Sequence, residues 1–302
     1  MQISLGRRLS VVLLTHNCAT RVGETLDRLV ELHVPVVVVD NASSDGTDAL
    51  VRHHPSLQLV SLSENLGAAG RNVGARRVGT PYIAFCDDDE WFELDGLHRA
   101  VELLDRHPSL ALVSGRILVD PDGRLDPICA EMAESPLPDG AGVPGAVLLG
   151  FMAGAVVVRR SAFEQVGGYD RRFFMGGEEE TLALPLAKRG WQMRYVEEVV
   201  IHHQPSMANA SRLRHYGVRN TIVNAWLHRP VRSAARWTWF IIRTTPSRWQ
   251  MVRGVAMAVR CVPWVLRERS PMRPELDQWL RMLEDRRRTA TPTRRRADSV
   301  PW

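Results

Sequence analysis

Residues 34–47 read VPVVVVDNASSDGT, an apolar run without polar alternation that breaks abruptly into a turn rich in Asn, Ser, Asp and Gly. A run such as Val36–Val39 suits a strand covered on both faces, as in a parallel sheet. Three other runs share the pattern: LSVVLL (9–14), LQLVSL (57–62) and PYIAFC (81–86), each followed by a polar or glycine-bearing turn and a helix-like segment. That repetition predicts parallel βαβ units. Between the first two runs, TRVGETLDRLVELH (20–33) places Val22, Leu26, Leu29 and Val30 at helical spacing, with Thr20 as the expected N-cap.

In open α/β sheets ligands bind outside the carboxyl ends of the strands. The turns there are THN (15–17), DNASSDGT (40–47), SENLGAAGRN (63–72) and DDDE (87–90). The third brings glycines toward a phosphate but matches neither G-x-G-x-x-G nor a P-loop. The fourth sets Asp87, Asp88, Asp89 and Glu90 directly after a core strand. Such neighbours repel one another, and a cation would offset the cost. The bland alternative is a solvated loop of helix-capping acids.

Downstream, the sequence predicts a helix near 94–106, a strand LALVSGRILV (110–119) and a long Pro/Gly/Asp-rich surface loop over 120–148 that closes over substrate. GFMAGAVVVRRSAFEQVGGYD (150–170) reads as a strand and a short helix. In FFMGGEEETLALPLAKRGW (173–191) the glutamates stand at a helix N-terminus, where the dipole favours negative charge.

The chain has 302 residues, 45% hydrophobic and 24% charged, which excludes wholesale disorder. Its net charge of +5 conceals an asymmetry: Met207–Trp302 carries 20 Lys+Arg against 6 Asp+Glu, or +14, leaving 19 against 28, or −9, for residues 1–206. Lys188 is the only lysine, so base composition of the genome contributes to the arginine count. Cys18, Cys86, Cys129 and Cys261 show neither CxxC nor zinc spacing, as expected of reduced thiols in a cytoplasmic protein. MQISLGRRLSVVLLTHN lacks a signal-peptide cleavage site and reads as a first strand. No run of about 18 apolar residues predicts a membrane span, so membrane contact is expected to be peripheral, at the inner face.

Residues 211–230 and 232–270 are helix-like, with interruptions expected at Pro230, Pro246 and Pro263. Arg253, Arg260 and Arg267 recur every seven residues, and Trp237, Trp239, Trp249 and Trp264 add amphipathic side chains. Two readings stand: helices lying on an anionic membrane surface, or helices packed on the preceding domain with their arginines in water. From Asp285 the chain is low in apolar content and reads as disordered. Nucleic acid is not an expected partner, because no nucleic-acid-binding motif accompanies the basic tail.

VVLLTHN, VVVVDNASSDGT, ENLGAAGRN, the aspartate cluster, VGGYDRRFFMGGEEE and VVIHH, in that order over residues 9–206, resemble the family 2 glycosyltransferases of the GT-A fold. The resemblance implies an α/β, Rossmann-like, mostly parallel sheet flanked by helices, here with a C-terminal helical extension. The expected divisions are a catalytic domain over 1–206, a helical extension over 207–284 and a basic tail over 285–302. It implies a nucleotide-diphosphate sugar donor, Mg2+ or Mn2+, a glycan or lipid-linked acceptor hydroxyl, and transfer of a hexosyl or deoxyhexosyl unit with inversion.

By position, the resemblance assigns the donor to Thr15, His16, Asn17, Asp40, Asn65, Gly67, Arg71, Asp87 and Asp88. Asp40 falls at the nucleobase, and His16 stands where relatives have an aromatic ring. Asp87 and Asp89 form the DxD pair, with Asp89 as direct metal ligand and His202 completing the site; His203 is the fallback. Glu179 falls at the catalytic base and Glu178 precedes it, while Thr181 and Pro185 replace a common acid and arginine. The alternatives are a nucleotidyltransferase, whose basic glycine-rich loop THNCATRVGE imitates poorly, and a transferase-like module that has lost catalysis.

Overall fold

The computed structural model describes residues 4–139, 142–205 and 214–290. Strands β1 (Leu9–Thr15) and β2 (Val36–Asp40) flank helix α1 (Val22–Glu31), and α2 (Thr47–Arg52) leads to β3 (Leu57–Ser61). Helix α3 (Gly70–Ala75) precedes β4 (Tyr82–Asp87). These four strands pair in parallel in the order β3-β2-β1-β4. Every residue of β1 and β2 is buried, as their unbroken apolar runs require. Gly70 and Gly74 let α3 lie close on β1, since a Cβ on either would overlap Leu14 or Val12. Thr20 does not cap α1; Arg21 holds that position without a side-chain cap and its guanidinium reaches Asp88.

Beyond β4 the chain forms β5 (Glu90–Phe92), α4 (Leu94–Arg106), β6 (Leu110–Val119), β7 (Arg124–Leu125), α5 (Pro127–Ala133), β8 (Ala146–Val147), β9 (Val156–Arg159) and α6 (Arg160–Gln165). Helix α7 (Glu180–Lys188) and β10 (Gln192–His203) complete the domain. The full path is β3-β2-β1-β4-β9-β6-β10-β5. The expectation of a mostly parallel, Rossmann-like sheet therefore fails in this half, where the sheet is mixed. β9 runs antiparallel to both β4 and β6, β5 antiparallel to β10, and only β6 and β10 pair in parallel. Nor is 120–148 a plain surface loop: it contains α5 and buries Cys129, Met132, Leu137 and Leu148.

Four helices follow: α8 (Arg214–His228), α9 (Val231–Thr244), α10 (Arg248–Glu268) and α11 (Pro274–Ala290). Pro230 caps α9 and Pro246 separates α9 from α10, but Pro263 lies within α10 without ending it. Pro263 is exposed, so water can reach the carbonyl it leaves without a helical partner. Residues 285–290 continue α11; residues 291–302 of the expected tail lie outside the described residues. Among the described residues, no helix is long and apolar enough to cross a membrane.

These helices enclose a second apolar core in which Phe173 of the preceding domain meets Val223, Trp237, Ile241 and Val265. Buried polar groups lock it. Arg229 pairs with Asp277 at 3.1 Å and with Glu284, and Ser233 donates to Asp277 at 2.6 Å. Removing one partner of such a network strands a buried charge. Asp277→Ala is expected to lower unfolding free energy by about 3 kcal/mol, read by urea denaturation; a loss below about 1 kcal/mol would place the clasp outside the folding unit.

Candidate active site

Parallel register sets the floor of the cleft. Thr15 pairs with Asp40, Asp40 with Ser61, and Leu14 with Asp87, so the strands end level and their turns converge. Asp40 is 3% exposed. One carboxylate oxygen accepts from the Thr15 and Ser43 hydroxyls, the other from the Ser43 amide at 3.1 Å. Thr15 and Asp40 thus build the turn, and the more exposed His16 and Asn17 stand beside it. The Asn41 carbonyl meets His16 Nδ1 at 2.9 Å, and Asn17 Oδ1 accepts from the Ser44 amide at 2.9 Å.

Sequence reading missed two turn-builders. Asp45 accepts from the Ala19 amide and from Thr47; those hydrogen bonds outweigh desolvation and hold its carboxyl below the usual range. Asn41 donates to the Gly67 carbonyl at 3.0 Å and accepts from the Leu66 amide at 2.8 Å. It ties the second turn to the third. A buried Asn directly after a strand is the signal that was available.

Arg71 occupies the centre, 3% exposed. Its guanidinium pairs with Asp87 and lies 5.6 Å from the Tyr169 ring, within the electrostatic reach of Glu178 and Glu179. Two close approaches bring the glutamates there. Gly67, at φ +58°, accommodates Phe174, whose carbonyl accepts from the Ala68 amide at 2.6 Å; any Cβ on Gly67 would overlap that carbonyl. The Asn72 amide donates to the Tyr169 carbonyl at 2.8 Å and accepts its N–H at 2.9 Å. Asn65 accepts from the Gly67 amide at 2.8 Å and shapes the same turn.

The helical layer secures the glutamate loop from the other side. Asn220 of α8 donates to the carbonyls of Phe173, Met175 and Gly176 at 2.7, 3.1 and 2.5 Å, and Asn224 to Gly177 at 3.1 Å. Thr181, where an acid was expected, donates to the Glu178 carbonyl at 2.6 Å and closes the first turn of α7. Burial pushes the Glu178 carboxyl up, with Arg71 partly opposing, and leaves its Oε2 without a hydrogen-bond partner. Burial and the neighbouring Glu178 push Glu179 well above the usual carboxylate range.

A turn between β4 and β5 divides the acidic quartet, with Asp88 and Asp89 inside it. Asp88 is gripped by Arg21 at 2.8 and 3.2 Å. His202 points to the opposite face of β10 from His203. It stacks on Trp91 (centroids 5.4 Å) and meets Asp120 and Glu93 at 2.9 and 3.1 Å, on the face away from Glu90. His203 instead has Nε2 3.8 Å from Asp89, and desolvation keeps its imidazole below its ordinary pKa, hence neutral.

Glu90 is buried behind this pair, held well above the usual range by desolvation and by Asp87 and Asp89, with Oε2 lacking a partner. Gly154 leaves room there, since a Cβ would overlap Glu90 and Asp87. Asp87 and Asp89 beside the single Arg71 guanidinium leave negative charge uncompensated. They are oxygen donors of the kind a hard divalent cation takes, although among the described residues no group of three or more His, Cys, Asp or Glu side chains stands arranged to hold one.

The family model for Glycosyl transferase family 2 matches residues 10–167. N-acetylglucosaminyl-diphospho-decaprenol L-rhamnosyltransferase of Mycobacterium tuberculosis is 26% identical over 298 residues, covering 87% of this chain and 92% of that protein. Pre-mycofactocin glycosyltransferase of the same organism is 28% identical, over 65% of this chain and 43% of its own. Among solved structures, the Pyrobaculum calidifontis mannosyltransferase PcManGT, in complex with GDP-Man and Mn2+, superposes with TM-score 0.59 at 20% identity, covering 94% of this chain and 88% of that one. At that identity the likeness concerns the fold, which is GT-A-like.

A carboxyl raised by folding costs nothing below its unfolded pKa and its full amount above its folded one. Glu179→Gln is therefore expected to match the parent in stability near pH 4 and to exceed it increasingly as pH rises through the raised value, followed by thermal melts across pH. A stability gap that did not change with pH would contradict the desolvation of the Glu179 carboxyl.

Proposed function

The chain belongs to glycosyl transferase family 2, and on that footing we propose that it moves a hexosyl or deoxyhexosyl unit from a nucleotide-diphosphate sugar to a hydroxyl of a glycan or lipid-linked acceptor, with inversion. The observation that carries the reading is the cluster in which buried Arg71 pairs with Asp87 and feels the charge of Glu178 and Glu179. Acids and candidate base, about ninety positions apart in the chain, thus act on one guanidinium. A nucleotidyltransferase has no comparable use for a paired glutamate loop, and family membership sets that alternative aside.

Glu179 takes the acceptor's proton. Desolvation and Glu178 raise its carboxyl above the usual carboxylate range, which strengthens it as a proton acceptor. Attack then comes from the face opposite the departing diphosphate, which inverts the anomeric centre. Arg71 fixes Asp87 and balances part of the charge, while His16 and Asn17 border the nucleobase position. Asp87 and Asp89 would hold a divalent cation, Mn2+ or Mg2+, which when bound supplies positive charge to the nucleotide diphosphate as it leaves. The solved PcManGT and GalNAc-T7 complexes contain Mn2+, which favours that ion.

The rhamnosyltransferase that aligns along most of both chains acts, by its name, on a sugar held by a polyprenyl diphosphate. We extend that to this chain: a lipid-diphosphate-linked acceptor, a role in cell-envelope polysaccharide assembly, and work at the inner membrane face. A panel of nucleotide sugars, each with Mn2+ and with chelator, is expected to reveal one donor that is slowly hydrolysed only with metal. Glu179→Gln should retain that donor's affinity and lose about 100- to 10,000-fold in transfer. Undiminished transfer would remove Glu179 from the chemistry; absence of turnover with every donor would leave a binding module.

A further inference from the structure

Helix α10 has one face against the helical core and another against nothing. Gly254, Ala258 and Val265 are buried, with Gly254 so close to Val218 of α8 that a Cβ would overlap it. On an outward flank Trp249, Val252, Val259, Val262 and Leu266 are 72, 55, 62, 45 and 67% exposed. Their spacing of three, seven, three and four residues aligns them in one stripe along a helix about 32 Å long. Trp239 of α9 is 60% exposed, with Arg243 positioned over its ring at 5.6 Å. Scattered exposed apolar residues need no explanation, whereas a continuous stripe does.

Charge decides what covers it. Arg253, Arg260 and Arg267 each follow a stripe residue by one position and are exposed, so a basic border runs beside the apolar line. From Val199 to Arg267 the sequence contains no Asp or Glu. A second copy of this face would set arginine against arginine, which disfavours self-association. An anionic bilayer answers both halves at once: acyl chains take the stripe, headgroups take the guanidiniums, and tryptophans sit at the boundary.

We infer that the outer face of α10, with Trp239, is a docking surface for an anionic lipid bilayer on which the helix lies flat. The inference deepens the preceding proposal of a lipid-linked acceptor and rests on it for its purpose. The docked helix is also joined to the catalytic loop. Arg172 lies 3.9 Å from the Trp264 ring and pairs with both Asp170 and Glu268 at 2.6 and 2.9 Å. Docking α10 thus sets the height of the glutamate loop above the lipid surface.

The test is co-sedimentation of the full chain with phosphatidylglycerol/phosphatidylcholine vesicles and with pure phosphatidylcholine vesicles, across a salt series. Binding is expected with phosphatidylglycerol and should weaken with salt. Val259→Glu with Leu266→Glu should lower it about tenfold or more. Replacing Arg253, Arg260 and Arg267 by Gln should lower it on the order of a hundredfold and abolish the preference for anionic lipid. Both variants should keep the parent's melting temperature and its donor hydrolysis in lipid-free buffer.

The inference is overturned by equal binding to the two vesicle types, by undiminished binding of the Val259/Leu266 variant, or by a dimer that this variant dissociates while vesicles bind nothing. Vesicle binding by a chain that turned over no donor would keep the docking surface and remove the transferase reading.

Discussion

One buried guanidinium organises the cleft. Arg71 pairs with Asp87 at the end of a central strand and balances Glu178 and Glu179 on a loop from another part of the chain. Without it, the carboxyl groups of the two motifs would face each other in a desolvated space, where each ionisation raises the cost of the next. With it, one positive charge serves several acids and the remainder stays uncompensated. That residual charge is what the proposed divalent cation and proton-accepting glutamate would both draw on.

The helical layer is part of this arrangement. The Asn220 amide sits within hydrogen-bonding distance of three carbonyls of the glutamate loop, and Phe173 of the same loop is buried among α8, α9 and α10. A loop with Gly176 and Gly177 at positive φ has little stiffness of its own. Its rigidity is borrowed from helices that a division after residue 206 separates from it. The exposed face of α10 then lets one layer both shape the site and orient it toward a surface.

Much of this was legible in the sequence, for identifiable reasons. Runs such as Val36–Val39 announce a strand covered on both faces, and the turns at strand ends predict where a ligand binds. Periodicity carries no information on strand direction, so the reversal of β9 and the mixed half-sheet were invisible. Alternation was legible in principle on β10, where it separates His203 from His202. The choice between faces needed the β5–β10 register, with Trp91 opposite His202 and Glu90 opposite His203. Arg71 stood in a recognised motif, yet nothing local revealed that it would be buried against a loop about a hundred residues later. The long-range clamps of Asn41, Asn72 and Asn220 were unreadable for the same reason.

The most direct measurement is a crystal of the chain soaked with Mn2+ and a nucleoside diphosphate, with the metal located by anomalous scattering. The account predicts a single strong peak in contact with the Asp89 carboxylate, on the side of His203 rather than His202, and facing the same cavity as Glu179. A peak bound by Asp120, Glu93 and His202, or one with Glu179 on the far side of the sheet, would contradict it.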